Sequence, residues 1–252
     1  MVQIPSIDDL FKANVHFGHR TSKRHPKMEP YIFGAKNTIH IIDLEKTAVK
    51  LKEALDFIVE KVAQGGLILF LGTKPSAKEI IKKYAEKVGM PYIAEHWVAG
   101  LLTNFSTINH LIGKFKKTLK DKEAGEWEKY TKKERLDLEK ELNRLEKMVG
   151  GIRNLDKLPQ AIFIVDIQEE STAVREAKRA KIPTIAIVDT NVNPELIDFP
   201  IPANDDAVKS IELITGLVAA AIEEGQNKLK NKNVPMSTFK NKSEEIGPKD
   251  SV

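Results

Sequence analysis

Near the start of the chain three histidines, His16, His19 and His25, lie among four cations, Arg20, Lys23, Arg24 and Lys27. Three imidazoles can hold a catalytic zinc. The HxxH spacing of His16 and His19 lacks both an HExxH helix and a thiolate partner, so it is a weak zinc signature. The other chemistry open to this stretch is RNA contact, in which Arg20, Lys23, Arg24 and Lys27 reach phosphates while His16, Phe17, His25 or Tyr31 stacks on an unpaired base. Both readings use the histidines, but only RNA contact needs the cations. The segment from residue 16 to residue 36 is therefore expected to be an RNA clamp carried in a loop, and no metal is expected.

A second set of candidates is acidic. Residues 161–165 and 184–188 are apolar runs ending in Asp166 and Asp189, and Asp198, Asp205 and Asp206 follow. Carboxylates at the ends of parallel strands can assemble a magnesium site for phosphoryl transfer. They also bind turn amides or cap helices, as Asp205 is placed to do, and no nucleophile stands beside them. The stretch LFLGTKPSAKEI sets Gly72, Thr73 and Lys74 at a strand-to-helix turn where backbone N–H groups can receive a phosphate. It matches neither GxGxxG nor GxxxxGK followed by Ser or Thr. A nucleotide- or magnesium-dependent enzyme is thus the alternative reading, with no catalytic residue assigned.

The elements that must position these residues follow from hydrophobic period. Ser6 and Asp9 form a capping box for a short helix carrying Leu10 and Phe11. Residues 31–33 and 39–42 read as a hairpin or two edge strands around residues 34–38. Asp43 caps a long helix that ends at Gly65 and Gly66. Residues 67–71, 161–165 and 184–188 are continuous apolar runs, the pattern of strands buried on both faces of a parallel sheet, with helices over 75–88 and 171–180. A last helix is expected from about residue 205 to 223. Alternating strands and helices imply a doubly wound, mainly parallel α/β sheet with right-handed crossovers.

Residues 106–149 break that alternation. Ile108, Leu111, Ile112, Phe115 and Leu119 make one apolar stripe. Leu138, Leu142, Leu145 and Val149 make another, after a capping box of Thr131 and Glu134. An antiparallel helical hairpin inserted in the α/β domain is expected, its stripes satisfied by each other. The domain organisation is then 1–105 with 150–225 as the α/β domain, 106–149 as the hairpin, and 226–252 as a flexible basic tail.

Composition bounds the function. The 252 residues are 41% apolar, enough for a sizeable core, and contain no cysteine, which excludes disulfides, iron–sulfur clusters and thiolate zinc sites. No basic n-region with an apolar run opens the chain and no stretch approaches a membrane span, so a cytoplasmic protein is expected, with no membrane partner. The net charge of +4 is mild, but it is concentrated at the ends: residues 1–40 carry six cations, Lys36 among them, against three carboxylates.

Four co-linear blocks then resemble one family. They are HFGHRTSKRHPKMEPYIFGAKNTIHIIDLEKT at 16–47, LGTK at 71–74, WVAGLLTNFSTI at 97–108 and AIVDTNVNPELIDFPIPANDDAVKSI at 186–211. Together they are similar to bacterial ribosomal protein S-two, over about residues 6–225. The resemblance implies an α/β domain like flavodoxin with a protruding coiled-coil hairpin, and a structural place in the small ribosomal subunit between head and body. It further implies contact with small-subunit ribosomal RNA and with other ribosomal proteins, including ribosomal protein S-one, with no DNA, cofactor or reaction. RNA contacts are implied at His16, Phe17, His19, Arg20, Lys23, Arg24, His25, Lys27 and Lys36, and in a second block at His96, Trp97 and Asn104. The chain differs from the usual pattern at Arg24 and His25, where Trp-Asn is common, and at His96 and Ala99, where Arg and Gly are.

Overall fold

The computed structural model describes residues 3–233. Helix α1 (Ile7–Lys12) opens on the expected capping box: the Ser6 hydroxyl accepts from the Asp9 N–H, and the Asp9 carboxylate accepts from the Ser6 N–H. Strands β1 (Phe17–Arg20), β2 (Ile32–Lys36) and β3 (Ile39–Ile42) form an antiparallel sheet in the order β1-β3-β2. The β2–β3 hairpin is as expected, turning through Asn37 and Thr38 at φ 50° and 64°. Strand β1 was not. The stretch taken for a clamp in a loop is a strand followed by two 3-10 turns, Thr21–Lys23 and Pro26–Tyr31.

Helix α2 (Leu44–Ala63) is capped by Asp43, whose carboxylate accepts from the N–H groups of Glu45 and Lys46. Then come β4 (Ile68–Leu71), α3 (Lys78–Val88), β5 (Tyr92–Ile93), α4 (Phe105–Glu123), α5 (Lys132–Val149), β6 (Ala161–Val165), α6 (Ser171–Ala180), β7 (Thr184–Val188), β8 (Phe199–Pro202) and α7 (Val208–Asn233). The second sheet is parallel throughout, in the order β5-β4-β6-β7-β8. The order reverses direction between β4 and β6, so the fold is doubly wound with its switch point at the C-terminal ends of those two strands.

Both faces of this sheet are buried, and alternate residues divide between two cores. Ile68, Phe70, Phe163, Ile185, Ile187 and Ile201 pack against α2, α3 and α7. Leu69, Leu71, Ile162, Ile164, Ala186 and Val188 face α6, the loop after β5, and the base of the α4–α5 pair. That last contact corrects an expectation. Ile108, Ile112 and Phe115 of α4 and Leu142, Leu145 and Val149 of α5 are buried in the second core, so the hairpin's stripes are not self-contained. Further out the two helices run antiparallel, with Lys114 paired to Glu141 at 2.8 Å and Lys122 to Glu139 at 3.0 Å.

Replacing residues 117–138 by a short Gly-Ser linker is therefore expected to leave one cooperative urea transition, at a cost of roughly 1–2 kcal/mol. Replacing 106–149 removes six buried apolar side chains, each worth about 2–5 kcal/mol, and is expected to abolish that transition in circular dichroism. A cooperative transition kept by both deletions would place the hairpin base outside the core.

Helix α7 runs ten residues beyond Glu223, where the sequence pattern suggested an end. Ala221 and Ile222 are fully buried, and the Gln226 amide donates to the Val88 carbonyl at 2.8 Å, so packing carries the helix past its apolar stripe. Of the basic tail expected from 226, residues 226–233 are thus helical and the remainder lies outside the described residues.

Candidate nucleic-acid interface

The antiparallel sheet is bound to the parallel one through the ends of β7 and β8. The His19 N–H donates to the Asp189 carboxylate at 3.2 Å and to the Thr190 hydroxyl at 2.9 Å, and the His25 N–H donates to the Thr190 carbonyl at 2.8 Å. The Asn204 N–H reaches the Val15 carbonyl at 3.1 Å, and the Thr47 hydroxyl donates to the Pro202 carbonyl at 2.6 Å. A Cβ on Gly18 would lie 2.6 Å from Thr190 Cγ2, so only glycine lets β1 approach this closely. The chain's own β1 thus lies against the C-terminal end of β7, beside the β4–β6 switch point.

The acidic candidates gather in the same crevice, around an internal cation. Lys74 Nζ lies 3.1 Å from Asp166, 3.1 Å from Asp205 and 2.5 Å from Asp206. Burial disfavours the charge on Lys74, but these three carboxylates outweigh it and hold the ammonium well above its usual range. Burial raises Asp205 to about 7, assisted by the charges of Asp189 and Asp166 and opposed by Lys74. His19, Asp205 and Asp206 each bring one donor atom within 4.8 Å of the others, the spacing of a cation site, but the ammonium of Lys74 already pairs with both carboxylates of that group.

The remaining carboxylates are also engaged. Asp166 accepts from the N–H groups of Gln168 and Glu169, the turn role expected of a strand-end aspartate. Asp198 stands apart, accepting from the Thr184 N–H and hydroxyl. Asp205 is not the helix cap that was expected: the Asn204 side chain accepts from the N–H groups of Asp206 and Ala207 instead. At the start of α3 the Thr73 N–H donates to the buried Glu170 carboxylate at 3.0 Å. A carboxylate of the chain itself therefore takes the amide that a phosphate would need.

The three histidines diverge. His16 is buried, its ring 4.2 Å from Phe11 in a parallel stack and 4.1 Å from Phe17, and burial lowers its pKa. His19 turns to Asp189, at 3.0 Å, which raises its pKa through that hydrogen bond. His25 Nδ1 accepts from the Lys27 N–H. A three-histidine zinc site is not assembled, because each ring has a different local partner.

Of the predicted cations, Arg24 lies 3.8 Å from Glu29 and Lys27 pairs with Glu195 at 2.7 Å. Arg20, Lys23 and Lys36 are exposed and make no ion pair within 4 Å among the described residues. Phe17 is partly exposed, and Phe33, which the sequence pattern merged with the strand, is 80% exposed on the outer strand β2. An apolar residue in a strand is ordinarily expected to face a core, so nothing in the sequence marked Phe33 as a surface ring.

The second predicted block lies elsewhere. His96 and Asn104 are exposed, but Trp97 is only 6% exposed and its indole donates to Glu176 at 3.1 Å, so its ring offers no open face for stacking. Among the described residues no hydrogen bond or ion pair joins this block to the first.

Comparison with known proteins places this arrangement. Residues 10–225 match the family model described as Ribosomal protein S2. The chain is 46% identical to the small ribosomal subunit protein uS2 of Sorangium cellulosum, over 88% of this chain and 80% of that protein. It is 48% identical to the uS2 protein of a Roseiflexus species over 90% and 86%, and 46% identical to that of Nocardia farcinica over 88% and 78%.

Proposed function

The chain belongs to the ribosomal protein S2 family, and on that footing we propose that it is a structural constituent of the small ribosomal subunit in the cytoplasm, binding small-subunit ribosomal RNA and neighbouring ribosomal proteins. The observation that carries the RNA contact is the set of exposed cations, Arg20 and Lys36 on a sheet fastened to the core through Asp189 and Thr190, and Lys23 in the 3-10 turn that follows β1. Cations on a fixed frame can match phosphate spacing without an ordering cost, which a mobile loop would incur. Arg24 and Lys27 flank them and can exchange a surface carboxylate for a phosphate at little cost, because exposed ion pairs are worth about 0–1 kcal/mol.

The exposed rings of Phe33 and Phe17 suit a protein neighbour, and ribosomal protein S-one is the candidate that the family resemblance implies. The distal part of the α4–α5 pair, which the family resemblance implies to be a coiled coil, is a second surface for docking. The enzyme reading falls away, since the relatives are named for the small ribosomal subunit and the switch-point crevice is occupied by the chain's own Lys74 and Glu170.

Co-sedimentation of the protein with small subunits in a sucrose gradient tests the proposal. Stoichiometric comigration is expected. A chain that hydrolysed nucleotides or phosphoesters and never entered subunits would overturn it.

A further inference from the structure

Glu176, on α6, has no cation within ion-pair distance among the described residues. Its carboxylate is satisfied by one loop instead. Oε1 accepts from the Trp97 indole at 3.1 Å and from the Gly100 N–H at 2.8 Å, while Oε2 accepts from the Leu102 N–H at 3.2 Å and lies 3.4 Å from the Thr103 hydroxyl. Gly100 has φ 92°, a left-handed conformation that aims its N–H inward at Glu176. The residues flanking this hub, His96 and Asn104, are exposed, as are Ala99 and Thr103 within the loop.

We infer that Glu176 is a positioning residue for RNA contact: through its four donors it fixes the loop from 97 to 103 and so presents His96 and Asn104 together to the RNA. The inference rests on the RNA-binding reading above, extended to His96 and Asn104, at which the family resemblance implies contact. Only a carboxylate suits the site. Glutamine would turn an NH2 group toward the N–H or O–H donors on one of its two sides, losing and repelling about half of the contacts. The family resemblance singled out His96, Trp97 and Asn104, whereas the carboxylate that fixes the loop between them lies more than seventy positions away in the sequence.

The test is a comparison of two backgrounds by filter binding to transcribed small-subunit ribosomal RNA. Glu176→Gln is expected to weaken binding by roughly tenfold, the equivalent of one or two contacts. In a chain already carrying His96→Ala and Asn104→Ala, the same change is expected to have no further effect, because there is nothing left to position. The Trp97 indole proton, followed by NMR in the free protein, should exchange faster in the variant. Equal loss in both backgrounds, or no loss in either, overturns the inference while leaving RNA binding intact. Wild-type protein that fails to bind the RNA overturns the reading beneath it and the inference too. Should Glu176→Gln not fold, Thr103→Val removes the outermost donor alone, and the same two-background comparison decides, with about a two- to threefold loss expected.

Discussion

Lys74→Met lowers the unfolding free energy by about 3–5 kcal/mol at pH 9, the usual cost of removing one partner from a buried ionic group, and by less at pH 6. The reason is that Lys74 stands between three carboxylates, of which Asp166 and Asp205 are buried. Without the ammonium, Asp205 would share the crevice with Asp166 and Asp189 and no lysine charge. It can escape by binding a proton, and it is already poised to do so, since burial and its acidic neighbours raise it to about 7 even with Lys74 present. At pH 6 the variant pays mainly for the proton it takes up, and at pH 9 it must bury the charge.

The sign of the wild-type pH dependence follows from the same groups. Asp205 binds its proton more tightly in the folded state than at its ordinary value of 3.8, so its contribution is full below 3.8 and is lost progressively as pH rises to about 7. His19 is raised above 6.5 by its hydrogen bond to Asp189, against the effect of burial, so its contribution is full below 6.5 and disappears as pH rises through the folded value. Asp206 acts oppositely: Lys74 and His19 outweigh burial and lower it, so its contribution is present above 3.8 and lost only in stronger acid. Stability is therefore expected to fall from about pH 3.8 to about 7 through Asp205 and to go on falling above 6.5 through His19, and Asp205→Asn should flatten the first part of that fall. Urea denaturation across this range checks both statements. An equal loss for Lys74→Met at pH 6 and pH 9 would show that the lysine stem matters for packing and its charge does not.

The parts of the fold legible in the sequence were those whose causes are local. Strands β6 and β7 and helix α6 lie where a continuous apolar run or a 3.6 period placed them, and the capping boxes at Ser6 and Thr131 are formed as spelled. Strand β8 was illegible because it holds Pro200 and Pro202, which argue against a strand unless it lies at an edge, as this one does. Strand β5 is two residues long and has no pattern to read. Strand β1 is polar and owes its conformation to Asp189 and Thr190, about 170 positions away.

The same distinction divides the candidate site. Cation clustering near residue 20 is a composition signal and could be read directly. Whether each cation is free depends on carboxylates brought in by the fold, such as Glu195 opposite Lys27, and no local pattern reports that. The histidines illustrate the limit most clearly: their spacing suggested one shared ligand, whereas a phenylalanine stack, a strand-end aspartate and a backbone amide claimed them separately.

The division of the cations leads to the second large effect, on RNA affinity. Arg20→Ala, Lys23→Ala and Lys36→Ala together should lower the slope of log affinity against log salt by about 2, since each lost phosphate contact on unpaired RNA removes roughly 0.7. At an ionic strength near 0.15 M this corresponds to about a 50-fold loss of affinity for small-subunit ribosomal RNA, spread evenly over sequences because phosphates carry no base identity. Thermal stability should change little, as these side chains are exposed and make no ion pair within the described fold. Lys27→Ala alone should do less than any of the three, because Lys27 must first leave Glu195. His16→Gln supplies the contrast. The His16 ring is buried between Phe11 and Phe17, so its replacement should cost stability and leave the salt slope unchanged. A triple variant with the wild-type slope would remove these cations from the interface, and a slope altered by His16→Gln would mean that burial of that ring does not persist when RNA binds.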